Sequence, residues 1–518
     1  MSLAADGAGG AGGGGGDARA DGGELLREGL GAVEPEPEGP VVVPYLPGGE
    51  IQPPYAPSPP AAQTERRPAG RKLPEGITAR PDERPAPPPA VEEAPAAGTE
   101  VVRAPEPPGR QPGVVIKIIL GLLCLLALAY LAGHKRVRQL EERLGIAQVV
   151  TAGFPFVALG LIARMPEVGV LTDAILVELS PLLHLGLGWI GFGIGFRFDA
   201  RLLDTLPEGT APRVAFSTGI PFLAIFLSAG LVLFGTQGWS SSLRDPVFIR
   251  DAIVLGSAGA ITARTAARII SGLGPQQALV MQIIRLEELA GIAGLTLVAA
   301  YFRPHDEVSW QLPGTAWIFI TLGLGATVGL VAYGILRRKA SAAESLVLLL
   351  GTVAFASGLA SNLLLSPIVV CFVAGVLLVN FPGDYKERVA ATLARLERPI
   401  YLLFLVVTGA IWSVGDWRGW ALMVVFLIAR FFGGLLGAKL GWGQEGGELT
   451  LSSRERLVLA AAPMGQLSIA IVVSALLLYP HGNVPLIVTA VIGGAIFTEI
   501  AVQILARELR ASTPGGEA

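Results

Sequence analysis

Two adjacent glutamates, Glu287 and Glu288, stand near the middle of the apolar run QALVMQIIRLEELAGIAGLTLVAAY. A carboxylate at membrane depth costs roughly 3 kcal/mol or more on insertion scales, so it marks a functional site by default. Adjacent positions on a helix point about 100° apart. One carboxylate is therefore expected to look into a cavity, where it can hold a proton or a cation. The other is expected to pair with a base on a neighbouring helix. The competing reading makes both structural salt-bridge partners, for example of Arg285. Arg430 lies mid-run in LMVVFLIARFFGGLLGAKLGW, and a lone guanidinium there requires a carboxylate partner. Glu499, mid-run in GGAIFTEIAVQILA, is either a further buried carboxylate or the partner of an arginine. Arg264 and Arg268 follow a polar interruption that contains Thr262. Arg268 is expected to snorkel to the membrane surface, whereas Arg264 reads either way. The histidines, 134, 184, 305 and 481, show no metal spacing, and the only cysteines, Cys124 and Cys371, lie in apolar runs. No disulfide framework, zinc site or iron–sulfur cluster is expected from them.

The elements that must position these charges are membrane spans. The 518 residues are 52% hydrophobic and 16% charged, whereas a soluble chain carries about 25% charged residues. The composition is uneven. Residues 1–112 hold 22 of the 39 prolines and 10 Lys/Arg against 17 Asp/Glu, which reads as a disordered Pro/Gly-rich tail with no identified partner. Neither tail nor body has the dense basic face that nucleic acid requires. Thirteen apolar spans follow: 113–133, 145–163, 181–198, 213–234, 249–270, 277–301, 314–336, 343–360, 366–380, 396–413, 418–440, 455–478 and 484–506. Each approaches the roughly 20 residues that a helix needs to cross a bilayer. None alternates in polarity as a barrel strand would.

The expected class is an all-α polytopic membrane protein of about 13 transmembrane helices. Loops after odd-numbered spans carry 18 Lys/Arg and those after even-numbered spans five. That bias predicts a cytoplasmic C-terminus and an outside N-terminal tail in a plasma membrane. The body divides into a first repeat of helices 1–6 (113–301), a linker helix 7 (302–341), a second repeat of helices 8–13 (342–508) and a short tail (509–518). Six helices, a linker and six more insert the second unit upside down, giving an inverted repeat. The fifth span of each unit is interrupted at its middle. One reads VLGSAGAITARTAARII, with Gly256 and Gly259, and the other VLAAAPMGQLSIAIV, with Pro463, Gly465, Gln466 and Ser468. Matched broken helices place a site at the repeat interface; the competing reading is glycine-mediated packing and a proline kink.

At this point the residues resemble a known family. GLGWIGFGIGFRFDARLL resembles a Gly-rich third-helix pattern, ASNLLLSPIVVCFVAGVLL a Ser-x-x-x-x-x-Phe-x-Ala-Gly helix, and LEELAGIAGL a Leu-Asp-Asp-hydrophobic-x-Gly ion-site helix. Their order and spacing over 113–508 are similar to those of the monovalent cation/proton antiporter superfamily, nearest its Kef-type and electrogenic Na+/H+ branches. The resemblance implies a 13-helix homodimer in membrane lipid, with a dimer domain and a mobile core. It implies that Glu288 alternately binds a proton and a monovalent cation, with Thr262 beside it, and that Glu287 pairs with Arg430. The sequence also departs from the family pattern. Asp-Asp is Glu-Glu, the crossover acid or hydroxyl is Ala263 with Arg264 beside it, and Pro-Arg-Gly-Glu is Pro463-Met464-Gly465-Gln466.

The mechanism that follows is exchange at one carboxylate. Protonated, Glu288 is neutral and crosses with the core; deprotonated, it coordinates Na+ or K+ with Thr262 and backbone carbonyls. Accessory candidates are Arg264, Arg285, Glu499, Gln466 and Ser468. The substrates are the ions themselves, no cofactor is implied, and no GxxxxGK[ST] motif is present to make the chain an ATP-driven pump. Two other classes fit the same residues. An anion or organic-acid carrier is favoured by the arginines 264, 268, 285 and 430, and a non-transporting sensor or scaffold would display the tail.

Overall fold

The computed structural model describes residues 153–165, 167, 171–201, 206–207, 209–237, 246–264, 277–303, 312–338, 341–442, 453–480 and 482–511. The tail, the span 113–133, the start of the second span, Arg268, Cys124 and the last residues lie outside that set. The described residues form fourteen helices and no strand, so the protein is an all-α polytopic membrane protein. In chain order the helices are α1 (Phe154–Arg164), α2 (Asp173–Glu178), α3 (Ser180–Gly195), α4 (Thr210–Gln237), α5 (Pro246–Gly259), α6 (Gln277–Tyr301), α7 (Gly314–Leu336) and α8 (Ala342–Asn362). They continue as α9 (Pro367–Asn380), α10 (Tyr385–Ile411), α11 (Trp417–Trp442), α12 (Ser453–Ala460), α13 (Gln466–Leu478) and α14 (Val484–Ala511). Every span expected from 145 onward contains a helix. By length and composition, stretches of α4, α7, α8, α11 and α14 can each cross a membrane, and α1, α9 and α13 are shorter apolar helices.

Small residues let the backbones approach. Between lipid-embedded helices there is little hydrophobic drive to associate, so close packing must supply the attraction. Helix α3 lies on α9, α1 on α10 and α4 on α11. A side chain at Gly191 or Gly195 of α3 would run into the carbonyls of Ile368 or Phe372, and one at Gly375 of α9 into that of Phe192. Gly160 and Gly409 do the same for α1 and α10 and Gly437 for α11 against α4, where Gly433 also lies against the Pro221 backbone. Away from these crossings the outer faces carry large exposed apolar side chains, among them Phe319, Leu330, Val347, Phe355, Ile428 and Phe432. Outward apolar faces of this kind suit hydrocarbon as the surrounding solvent.

One segment differs from its sequence reading. Residues 385–395, which fall between the expected spans 366–380 and 396–413, are not a loop but the start of the 27-residue helix α10. Val389, Leu393, Leu396 and Ile400 recur at spacings of four, three and four and pack on the core beside α3 and α9. Of the charges, Glu387 and Arg395 are exposed, while Glu397 flanks the apolar stripe and is half-buried. Pro399 sits inside the helix and leaves the carbonyl four residues earlier without its usual donor.

Candidate functional site

The two interrupted spans meet at their breaks. After α5 the chain runs irregularly through 261–263, and between α12 and α13 it does so through 462–465. The backbone N–H of Ala263 donates to the carbonyl of Pro463 at 2.8 Å, joining one break to the other. Gly259 ends α5 where Phe426 of α11 and Ile225 of α4 leave no room for a side chain. Each break strands backbone groups that a helix would have paired, and stranded groups at membrane depth must find partners within the protein.

The buried charges are those partners. Arg430 of α11 is 6% exposed. It donates from Nε to Gly259 O at 3.0 Å, from Nη1 to Ala462 O at 2.8 Å and from Nη2 to Ile261 O at 3.3 Å. A guanidinium presents its donors in a planar fork, so one side chain can reach carbonyls from both breaks at once. Glu287 of α6, 2% exposed, accepts the backbone N–H of Thr262 at 3.2 Å. The hydroxyls of Thr262 and Ser217 face the same carboxylate. The expected Glu287–Arg430 contact is thus replaced by a division of labour. The anion takes a stranded N–H, the cation takes stranded carbonyls, and the two act on each other through space.

Glu288 is 6% exposed and turns to a different partner, so Thr262, expected beside Glu288, stands beside Glu287 instead. Arg264, just past the break, grips it with two bonds, Nε to Oε1 at 2.9 Å and Nη2 to Oε2 at 2.6 Å. Bidentate guanidinium–carboxylate pairs are among the strongest charge-assisted contacts. Arg285, one turn earlier on α6, acts on Glu288 electrostatically without forming an ion pair.

The remaining candidates are dispersed. Glu499 on α14 is buried and accepts from Gln503 at 3.4 Å, with no arginine partner among the described residues. Gln466 opens α13 and is exposed. Ser468 is fully buried, and its hydroxyl has no hydrogen-bond partner. A cavity of about 270 Å³ between α4, α5 and α6 is lined by Thr218, Phe222, Ser257, Ala260, Ala290 and Gly291, among others. The hydroxyls of Thr218 and Ser257 are buried there without hydrogen-bond partners. Ala290 and Gly291 lie three and four residues after Glu287, so the cavity continues the face of α6 that carries that carboxylate. His184 bonds Ser180 and Ser361, and no cluster of metal ligands occurs among the described residues.

Two charged groups escaped the sequence reading. Glu397 of α10 holds Arg197, just past α3, with both carboxylate oxygens 2.8 Å from one guanidinium nitrogen. Glu397 is also within electrostatic reach of Arg264 and of Glu288. Glu397 falls at the very start of the span expected over 396–413, where a charge reads as a span end rather than as part of a site. At the opposite end of α5, Arg250 pairs with the fully buried Asp251 at 2.7 Å and lies 4.4 Å from the Tyr479 ring centroid. Their position at the start of an apolar span resembled a loop end.

No family model and no curated protein matches the chain. Solved structures do match. The structure of the sodium proton antiporter MjNhaP1 from Methanocaldococcus jannaschii at pH 8 superposes with a TM-score of 0.54 at 16% identity, covering 76% of this chain and 97% of that one. An electron-microscopy map structure of the same antiporter gives 0.51 at 18% identity, covering 76% and 99%. The chain therefore has the fold of that sodium proton antiporter.

Proposed function

We propose that the chain is a secondary transporter that exchanges a monovalent cation, Na+ or K+, for protons across a plasma membrane. The carrying observation is the placement of Glu287 and Glu288 on one unbroken helix against the crossing of two interrupted spans, in the fold of a sodium proton antiporter. In this reading Glu288 exchanges the proton and the cation beside Arg264, while Glu287, bonded to Thr262, and Arg430 hold the two breaks together. The helix contacts support an inverted repeat. Helix α4 meets its repeat mate α11, and the contacts α3–α9 and α1–α10 are each other's images under the exchange of units. Such proteins move one unit against another around a fixed site. Here α4–α6 and α11–α14 would form the moving unit, with the remainder the scaffold and homodimer face. Arg197 and Glu397, the more exposed of the charges around the site, belong to helix ends on the side with the Lys/Arg excess, which we assign to the cytoplasm.

The test is proton flux in proteoliposomes with Na+, K+, Li+ and a panel of anions. Cation-dependent flux that vanishes in Glu288→Gln, with folding and dimerisation retained, supports the reading, since the amide keeps the shape but cannot exchange a proton. Near-normal flux in that variant removes Glu288 from the mechanism. Flux that depends on the anion alone would identify an anion carrier, and no flux with any ion a non-transporting protein.

A further inference from the structure

The carboxylate assigned to ion exchange already holds a cation of its own. The Arg264 guanidinium covers both oxygens of Glu288 at 2.9 and 2.6 Å. A transported cation needs those same oxygens, so the two cannot be fully bound together. Arg264 is the more accessible of the two partners. Its side chain is 27% exposed against 8% for Glu288, and it sits on the irregular segment beyond α5 rather than within a helix.

A displaced guanidinium needs new acceptors, and a carboxylate is the strongest of them, because an unpaired charge at this depth is costly. One stands ready. Glu397 projects from α10, lies within electrostatic reach of Arg264, and is more open than Glu288, with 38% of its side chain exposed. Both of its oxygens accept from a single nitrogen of Arg197. A carboxylate offers about four acceptor positions, so Glu397 keeps capacity for a second guanidinium. The charges thus form a file from buried to exposed: Glu288, Arg264, Glu397, Arg197.

We propose that Arg264 is a tethered competitor of the transported cation at Glu288, and that Glu397 receives its guanidinium when a cation takes the carboxylate. The proposal rests on the exchange reading above and adds what sets the apparent affinity for the ion. With the site empty, the arginine closes it and neutralises Glu288. An arriving Na+ binds the freed oxygens while Arg264 swings to Glu397, and no bond other than these ion pairs is made or broken.

The test uses the full-length protein with NaCl as probe and choline chloride as the matched salt. Two quantities are measured: the Na+ concentration giving half-maximal proton flux in proteoliposomes, and that giving half-maximal thermal stabilisation in detergent. Arg264→Gln should lower both by about 5- to 150-fold, the range that ordinary coupling free energies span. Arg264→Lys, which keeps the charge but loses the fork, should shift both in the same direction by less. This variant covers the case in which Arg264→Gln folds poorly. Glu397→Gln removes the receiver and should raise both in the parent, yet change neither in the Arg264→Gln background. Unchanged or higher Na+ requirements in Arg264→Gln, or an effect of Glu397→Gln that persists without the arginine, would overturn the proposal while flux in the parent leaves antiport standing. Absence of any Na+, K+ or Li+ response in parent and variants alike would instead remove the antiport reading, and this proposal with it.

Discussion

Arg430 and Glu287 do opposite work at one crossing. Broken helices expose both donors and acceptors, and a guanidinium and a carboxylate are the side chains that saturate them most fully. Arg430 serves Gly259, Ile261 and Ala462, and Glu287 serves Thr262. Both charges were visible in the sequence, because a charge inside an apolar run stands out. Their partners were not, since backbone groups carry no letter of their own and became available only when the breaks formed. The consequence is a stability prediction. Arg430→Met should strand three carbonyls and destabilise the protein by about 2–5 kcal/mol, between three average membrane hydrogen bonds and the cost of orphaned buried groups. Arg430→Lys should lose less, because a point-like ammonium serves fewer carbonyls at once. Thermal unfolding of the purified variants in detergent measures both; a methionine variant as stable as the parent would show that the carbonyls find other donors.

At the scale of elements, helix contacts rest on which face each glycine presents. Gly191 and Gly193 are two residues apart on α3, yet a side chain at 191 meets the Ile368 carbonyl while 193 has open space around it. Gly191→Ala should therefore cost about 1–3 kcal/mol by overpacking, and Gly193→Ala should be neutral or gain up to about 1 kcal/mol from helix propensity. Equal shifts in thermal stability for the two would mean that α3 and α9 separate easily. Periodicity made the long apolar helices legible: α6 and α7 begin and end where the hydrophobic runs do. A run-length reading failed for 385–395, the charged start of α10 between two expected spans, because an apolar stripe of one residue in three or four makes no continuous run. The two breaks were legible from Gly256, Gly259, Pro463 and Gly465, residues that interrupt a helix for backbone reasons. Which carboxylate would meet Arg264 was not, because that depends on the rotation of α6 against a segment with no periodic structure.

For the molecule as a whole, the alternation of helix ends can be followed through contacts. Arg197 with Glu397, and Arg388 with the carbonyls of Leu336 and Arg338, join ends that the loop charges place on one side. Arg164 with Ala410, Arg303 with Leu363, and Tyr479 with Val298 join ends on the other. Each of these contacts joins helix ends of like parity in the span count, whereas the ion pairs inside the bundle required the fold.

The net charge moved per cycle is a property of the whole machine, and it follows from which groups can release a proton. A basic residue at the site adds a second transported proton only if it can lose one. A buried lysine does so readily; a guanidinium, with an intrinsic pKa above about 12, does not. Every basic group at the crossing is an arginine: Arg430 on the carbonyls, Arg264 on Glu288 and Arg285 nearby. Glu287 is tied to the Thr262 N–H and moves with the helix that carries it. If Glu288 alone exchanges, one proton leaves for each monovalent cation that enters, and the fixed charges contribute the same on both halves of the cycle. Exchange should then be electroneutral, although the acidic pair resembles that of electrogenic relatives. Liposomes carrying an imposed potassium diffusion potential, assayed with Na+ as the exchanged ion, provide the measurement. The initial rate and the final pH gradient should be unchanged between zero and about 100 mV, whereas a cycle moving one net charge would shift its driving force by about 2.3 kcal/mol over that range. An endpoint that follows the potential would require a second proton per cycle, and Glu287 would be the first group to examine, through Glu287→Gln under the same potential.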